Sequence, residues 1–130
     1  MRRPLFAICL LATLAGGCAS VDTVREAQGE GVSRIYPAAY EPVFNATLAA
    51  ARKKELEVVD SDKAAGRMIL SHGVTWWSWG ERIAVFLKAD TEKSTVVEIV
   101  SKPVLSPLNF PPDWPQILHE QIEAELHGGQ

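Results

Sequence analysis

Three histidines, two cysteines and a run of tryptophans are the side chains of this 130-residue chain whose types and spacing could do chemistry. His72 stands among apolar neighbours in Ile69-Leu70-Ser71-His72, a setting that suits a hydrogen-bonded structural imidazole better than a base or ligand. His119 and His127 fall eight apart on one expected helix, over two turns, too far to share a metal ion. Asp60 and Asp62 straddle an expected turn; one hairpin turn supplies too few oxygens for Ca²⁺, and turn chemistry accounts for the pair. No G-x-S-x-G elbow, phosphate loop or H-E-x-x-H pair is present. No catalytic residue, metal or cofactor is therefore expected, and the chain reads as something other than an enzyme.

The tryptophans rise above that background. Trp76, Trp77 and Trp79 lie in Trp76-Trp77-Ser78-Trp79-Gly80, and they are three of the chain's four. Strand alternation would send Trp76 and Trp77 to opposite faces, so one layer of helices could not cover both. Tryptophan is enriched at interfaces and at membrane head groups. Two readings stand: the loop folds back to cap the core, or it forms an interaction surface.

Both cysteines, Cys9 and Cys18, lie in the first 18 residues. Arg2-Arg3 opens a positive segment, and the apolar run Leu5–Leu14 is about ten residues, too short to cross a hydrocarbon core of ~30 Å. Small residues follow in Ala15-Gly16-Gly17-Cys18-Ala19-Ser20. Leu14-Ala15-Gly16-Gly17-Cys18 resembles the bacterial lipobox, although Ala15 stands where that family has leucine. The resemblance implies cleavage before a diacylglycerol-modified Cys18, and several acyl chains together hold a protein durably at a bilayer. Ala19 in place of aspartate implies, by the same resemblance, transport to the outer membrane, facing the periplasm. Ordinary cleavage after Ala19, or an uncleaved leader, are the alternatives. The expected organisation is a signal peptide over 1–17, lipidated Cys18 with a flexible tether over 18–31, and one domain over 32–130.

Without Arg2 and Arg3, Lys plus Arg falls to 13 − 2 = 11 against 16 acids, a net charge of −5. An acidic surface repels phosphate backbones, so nucleic acid is not an expected partner.

Within the domain, Val32–Tyr36 reads as a short strand. Tyr40, Val43, Phe44, Thr47, Leu48 and Ala51 recur at helical spacing, with Pro42 tolerable only in the first turn. Strands are expected at Leu56–Asp60, Arg67–Trp76, Glu81–Ala89 and Thr95–Ser101, joined by short polar turns. A proline-rich stretch leads to a helix over Trp114–His127, with Asp113 as N-cap and Gln116 three residues on. The fold class is α+β: an antiparallel sheet of about five strands with two helices on one face, in the order β-α-β-β-β-β-α.

That order, with AYEPVFNATLAAARKKELEVVDSDKAAGRM at its front, resembles the helix-grip modules of small envelope lipoproteins, among them the C component of the outer-membrane barrel-assembly machinery. The helices should cover Met68, Leu70, Val74, Ile83, Val85 and Leu87. The other face would carry Ile69, Phe86 and Val96 or Val97, more apolar surface than a solvated face needs, so either that face docks onto a partner or the sheet curls over it. The expected role is a membrane-anchored, non-enzymatic protein-interaction or structural module, whose bare sheet face and tryptophan loop meet an envelope protein or a second copy. The alternative is a carrier of a small apolar ligand, a lipid or glycan fragment held between sheet and helix.

Overall fold

The computed structural model describes residues 21–76, 80–104 and 110–128. Its elements are α1 (Val21–Arg25), β1 (Val32–Tyr36), α2 (Tyr40–Lys53), β2 (Glu57–Asp62), β3 (Arg67–His72), β4 (Glu81–Thr91), β5 (Ser94–Pro103) and α3 (Trp114–Gly128). The expected leader and Cys18 lie outside the described residues. Among those residues, no helix is long and apolar enough to cross a membrane.

The strands form one five-stranded antiparallel sheet in the order β1-β5-β4-β3-β2. The chain lays β1 at one edge, crosses through α2 to the far edge, and returns as a meander until β5 closes against β1. Period-two alternation then sorts the side chains. Rows such as Met68–Val85–Ile99 face α2 and α3. Rows such as Ile69–Ala84–Val100 face the opposite way.

On the first face, Val43, Phe44, Ala50 and Ala51 of α2 and Trp114, Leu118 and Ile122 of α3 pack onto the sheet in one buried cluster. Pro42 lies in the first turn of α2 as expected. Helix α2 ends in a Schellman arrangement: Leu56 N–H donates to the Ala51 carbonyl at 2.9 Å, and Glu55 N–H to the Arg52 carbonyl at 3.0 Å. This geometry puts Glu55 at φ 57°, a conformation that glycine adopts far more cheaply. Helix α3 opens with the expected cap, Gln116 N–H donating to Asp113 Oδ1 at 3.3 Å.

The second face corrects the expected tether and the expected bare surface together. Residues 21–31 are packed against the sheet. Val24 and Ala27 are buried over Ile69, Ala84, Phe86 and Val100, with Val21 at the margin. Ile69 is 0% and Phe86 8% exposed, so neither is available to a partner. A five-residue helix has no stability of its own in water. Here the sheet holds it, because apolar side chains on both sides leave water together. Polar contacts pin the rest of the segment. Arg25 donates to Asp60 at 3.2 Å, Gly29 N–H to Glu98 Oε1 at 2.6 Å, and Lys102 meets Glu30 at 3.5 Å. Gly31 then passes so close to β5 that a Cβ there would lie 2.4 Å from the Ile99 carbonyl oxygen.

The register also decides between Val96 and Val97, and two smaller differences stand beside it. Val97 belongs to the helix-facing cluster, and Val96 to the other side. Strand β3 stops at His72, so Val74 is exposed and not core. Asp60 and Asp62 both lie within β2. Asp62 does turn chemistry, accepting Ala65 N–H at 2.9 Å, but Asp60 instead receives Arg25 and Arg67, the latter at 3.6 Å.

Candidate functional site

Two surfaces and two buried polar clusters hold the side chains capable of recognition. The first surface is the end of the sheet where β3 hands over to β4 and β5 leaves for α3. Strand register sets this juxtaposition, since His72 pairs with Glu81 and Glu81 with Pro103. The two connections are tied at their roots, Val104 N–H donating to the Gly80 carbonyl at 2.9 Å. Gly80 takes φ 101° there, open to glycine at little cost. From this end Val74, Trp76 and Phe110 project into solvent, 70%, 98% and 79% exposed. Of the expected tryptophan surface, Trp76 is thus on the outside, while Trp77 and Trp79 lie outside the described residues.

Directly beneath is a buried carboxylate. Glu81 is fully buried, and its Oε2 accepts from His72 Nδ1 at 2.6 Å and from Trp114 Nε1 at 3.3 Å. The His72 and Trp114 rings are 4.8 Å apart between centroids. The cluster fastens α3 to the β3–β4 hairpin, and a carboxyl group so deeply buried needs hydrogen-bond partners of this kind. His72 is therefore satisfied, as its apolar surroundings suggested. Glu81 escaped the sequence reading because its pairing depends on hairpin register.

The second buried cluster joins β1 to α3. The Tyr36 hydroxyl lies 2.7 Å from His119 Nδ1, and His119 Nε2 lies 2.8 Å from the Val32 carbonyl oxygen. The carbonyl can only accept, so Nε2 carries the proton; Nδ1 of the neutral ring then accepts from the Tyr36 hydroxyl, whose one proton also faces the His119 carbonyl oxygen at 3.0 Å. Burial pushes the Tyr36 hydroxyl up to about 12, with Arg34 opposing and Glu123 assisting. Burial likewise holds His119 below the ordinary imidazole value, against the pull of its bond to Val32. The ring is thereby kept neutral.

The second surface is a groove of about 660 Å³ beside this pair. It is lined by Ile35, Tyr36, Pro37 and Ala38 from β1 and the turn after it, by Pro42 of α2 and Leu126 of α3, and by the polar Arg34, Glu123 and His127. Glu123 is 4.0 Å from Arg34 and 3.9 Å from His127. Ile35 is 65% exposed, on a strand that has a neighbour on one side only. The expected ligand space between sheet and helix is filled by Leu118, Ile122, Ile99 and Tyr36; the groove lies at its rim. Among the described residues, no three His, Cys, Asp or Glu side chains converge as metal ligands.

No protein-family model matches the chain, and no curated protein does so. Among solved structures it is similar to that of Ara h 8.0201, with 10% identity, 75% of this chain and 95% of the other covered, and a TM-score of 0.47. It is also similar to TTHA0849 from Thermus thermophilus, with 13% identity, 76% and 97% covered, and a TM-score of 0.38.

Proposed function

We propose that this chain is an envelope lipoprotein, anchored through Cys18, whose domain is a non-enzymatic module binding an extended segment of a partner protein along β1. The observation that carries the binding role is the groove of about 660 Å³ next to an open edge strand. An edge strand offers main-chain donors and acceptors to an added strand, and an adjacent apolar recess selects alternate side chains. Strand β1 supplies the edge, and Ile35 with Leu126 the apolar contacts. Arg34, Glu123 and His127 add polar groups to its lining. The opposite edge is ill suited to receive a strand, because β2 carries a register shift between Val58 and Asp60 and several acids, devices that discourage pairing.

A photoreactive residue at position 35 should crosslink one envelope protein, and Leu126→Trp, which fills the groove, should abolish that product. With the photoreactive residue moved to the exposed position 33 of the same strand, Ile35→Lys should also abolish the product while leaving the melting temperature within about 2 °C, since exposed sites contribute little to stability. Crosslinking unchanged by both substitutions would remove this reading. For the anchor, Cys18→Ser should move the protein from the membrane to the soluble envelope fraction.

A small apolar ligand is the second reading, favoured by the groove's size, which lies within the ~300–1,000 Å³ of small-molecule sites. Native mass spectrometry separates the two: a bound mass that Leu126→Trp removes supports the ligand.

A further inference from the structure

We infer that the end of the sheet bearing Val74, Trp76 and Phe110 rests in the head-group layer of a lipid bilayer, giving the domain a fixed attitude on its membrane. The inference deepens the anchoring reading above and takes its setting from it.

Three observations favour a bilayer. The first is charge. Of the described residues in these two connections, 73–76, 80, 103–104 and 110–112, none is Asp, Glu, Lys, Arg or His, in a chain that is 22% charged. The two hairpin turns at the opposite end of the sheet are different: the β2–β3 turn has Lys63, and the β4–β5 turn has Glu92 and Lys93. Protein interfaces carry a polar rim around their apolar centre, whereas the bilayer interface favours aromatic rings and does not reward charge at depth.

The second is rigidity at the root. Trp76 lies four residues after His72, whose imidazole is bonded to the buried Glu81. Phe110 lies four before Trp114, whose indole is bonded to Glu81. Both exposed rings are therefore carried by connections fastened to one corner of the sheet.

The third is where the remaining chain ends. Cys18 precedes Val21 by three residues, and the chain is packed on the sheet from α1 onward. Three residues span at most about 11 Å, so acyl chains on Cys18 hold the folded domain close against the bilayer.

The test uses the full mature lipoprotein in vesicles of phosphatidylethanolamine and phosphatidylglycerol, with and without bromine on the acyl chains. Bromine quenches tryptophan only at contact range. The expected result is a clear loss of emission in the brominated vesicles that persists at high salt, since no charges are involved. Trp76→Ser should reduce that loss, and Phe110→Ser should reduce it further. Ile35→Ser, on the β1 edge, should leave it unchanged. Both rings are exposed, so the variants should keep the parent's melting temperature, which is measured alongside. Equal emission in the two vesicle types overturns the inference. A crosslink from position 76 to an envelope protein without bromine quenching also overturns it, and assigns this end to a protein. The intact mass of the same preparation reports acylation of Cys18 separately. Missing acyl mass removes the anchor, whereas acyl mass without quenching removes only the bilayer contact.

Discussion

Glu55 shows how one residue can carry a backbone cost that its neighbours impose. Two hydrogen bonds close the end of α2, and they leave the following residue in the left-handed region, where Cβ crowds the chain. Glu55→Gly should therefore stabilise the fold by about 1 kcal/mol, visible as a rise of about 4–8 °C in thermal unfolding. His119 is the complementary case, a group whose burial couples stability to pH. Its folded-state value is depressed, so the unfolded chain takes up a proton as pH falls through about 6.5 while the folded ring resists. The contribution is complete above that pH and is lost as pH falls, at up to about 1.4 kcal/mol per unit. Melting temperature measured from pH 7.5 down to 5.5 should fall in the parent, and the slope should flatten in His119→Gln, where an amide replaces the titrating ring.

At the scale of elements, legibility followed length and periodicity. Helix α2 could be read from the spacing of Val43, Phe44, Thr47 and Ala51, and α3 from its Asp113 cap, because each states its own buried face. Strand β1 was bounded correctly by its apolar residues and Pro37. The segment 21–31 could not be read in this way. Two valines in a polar stretch carry no period, and the stability of α1 is supplied by Ile69, Ala84 and Phe86, far along the chain. Its contribution is measurable. Val24→Ser places a hydroxyl under α1 and removes buried apolar surface, so it should cost about 2–3 kcal/mol. Limited proteolysis of that variant should cut near Arg25, and an apolar dye should bind the uncovered sheet; a variant as resistant as the parent would show that α1 contributes nothing.

At the scale of the whole molecule, the exposed apolar groups are not spread evenly. One end of the sheet carries Trp76 and Phe110, and one edge carries Val32 and Ile35. Helices α2 and α3 cover one sheet face, and on the other α1 covers Ile69, Ala84, Phe86 and Val100. Sequence alone located the tryptophans but could not find the groove, since its walls come from β1, the following turn, α2 and α3, and exist only once those four are assembled. It also assigned the apolar surplus on the sheet to a partner, when the chain's own N-terminal stretch already occupies it.

Gly31 is the point at which that stretch rounds the sheet, and its partners set an order of events. Gly29 bonds to a residue 69 positions later, and Gly31 presses on Ile99 and Val100. A chain emerging N-terminus first exposes this segment early, yet the surface it must fit is completed only when β5 arrives. Long-range closure of this kind is slow compared with helix formation. The row Ile69–Ala84–Val100 should thus be the last apolar surface to be shielded, and in a nascent chain halted before residue 99 its Ile69 and Ala84 would stay open to whatever chaperone escorts it.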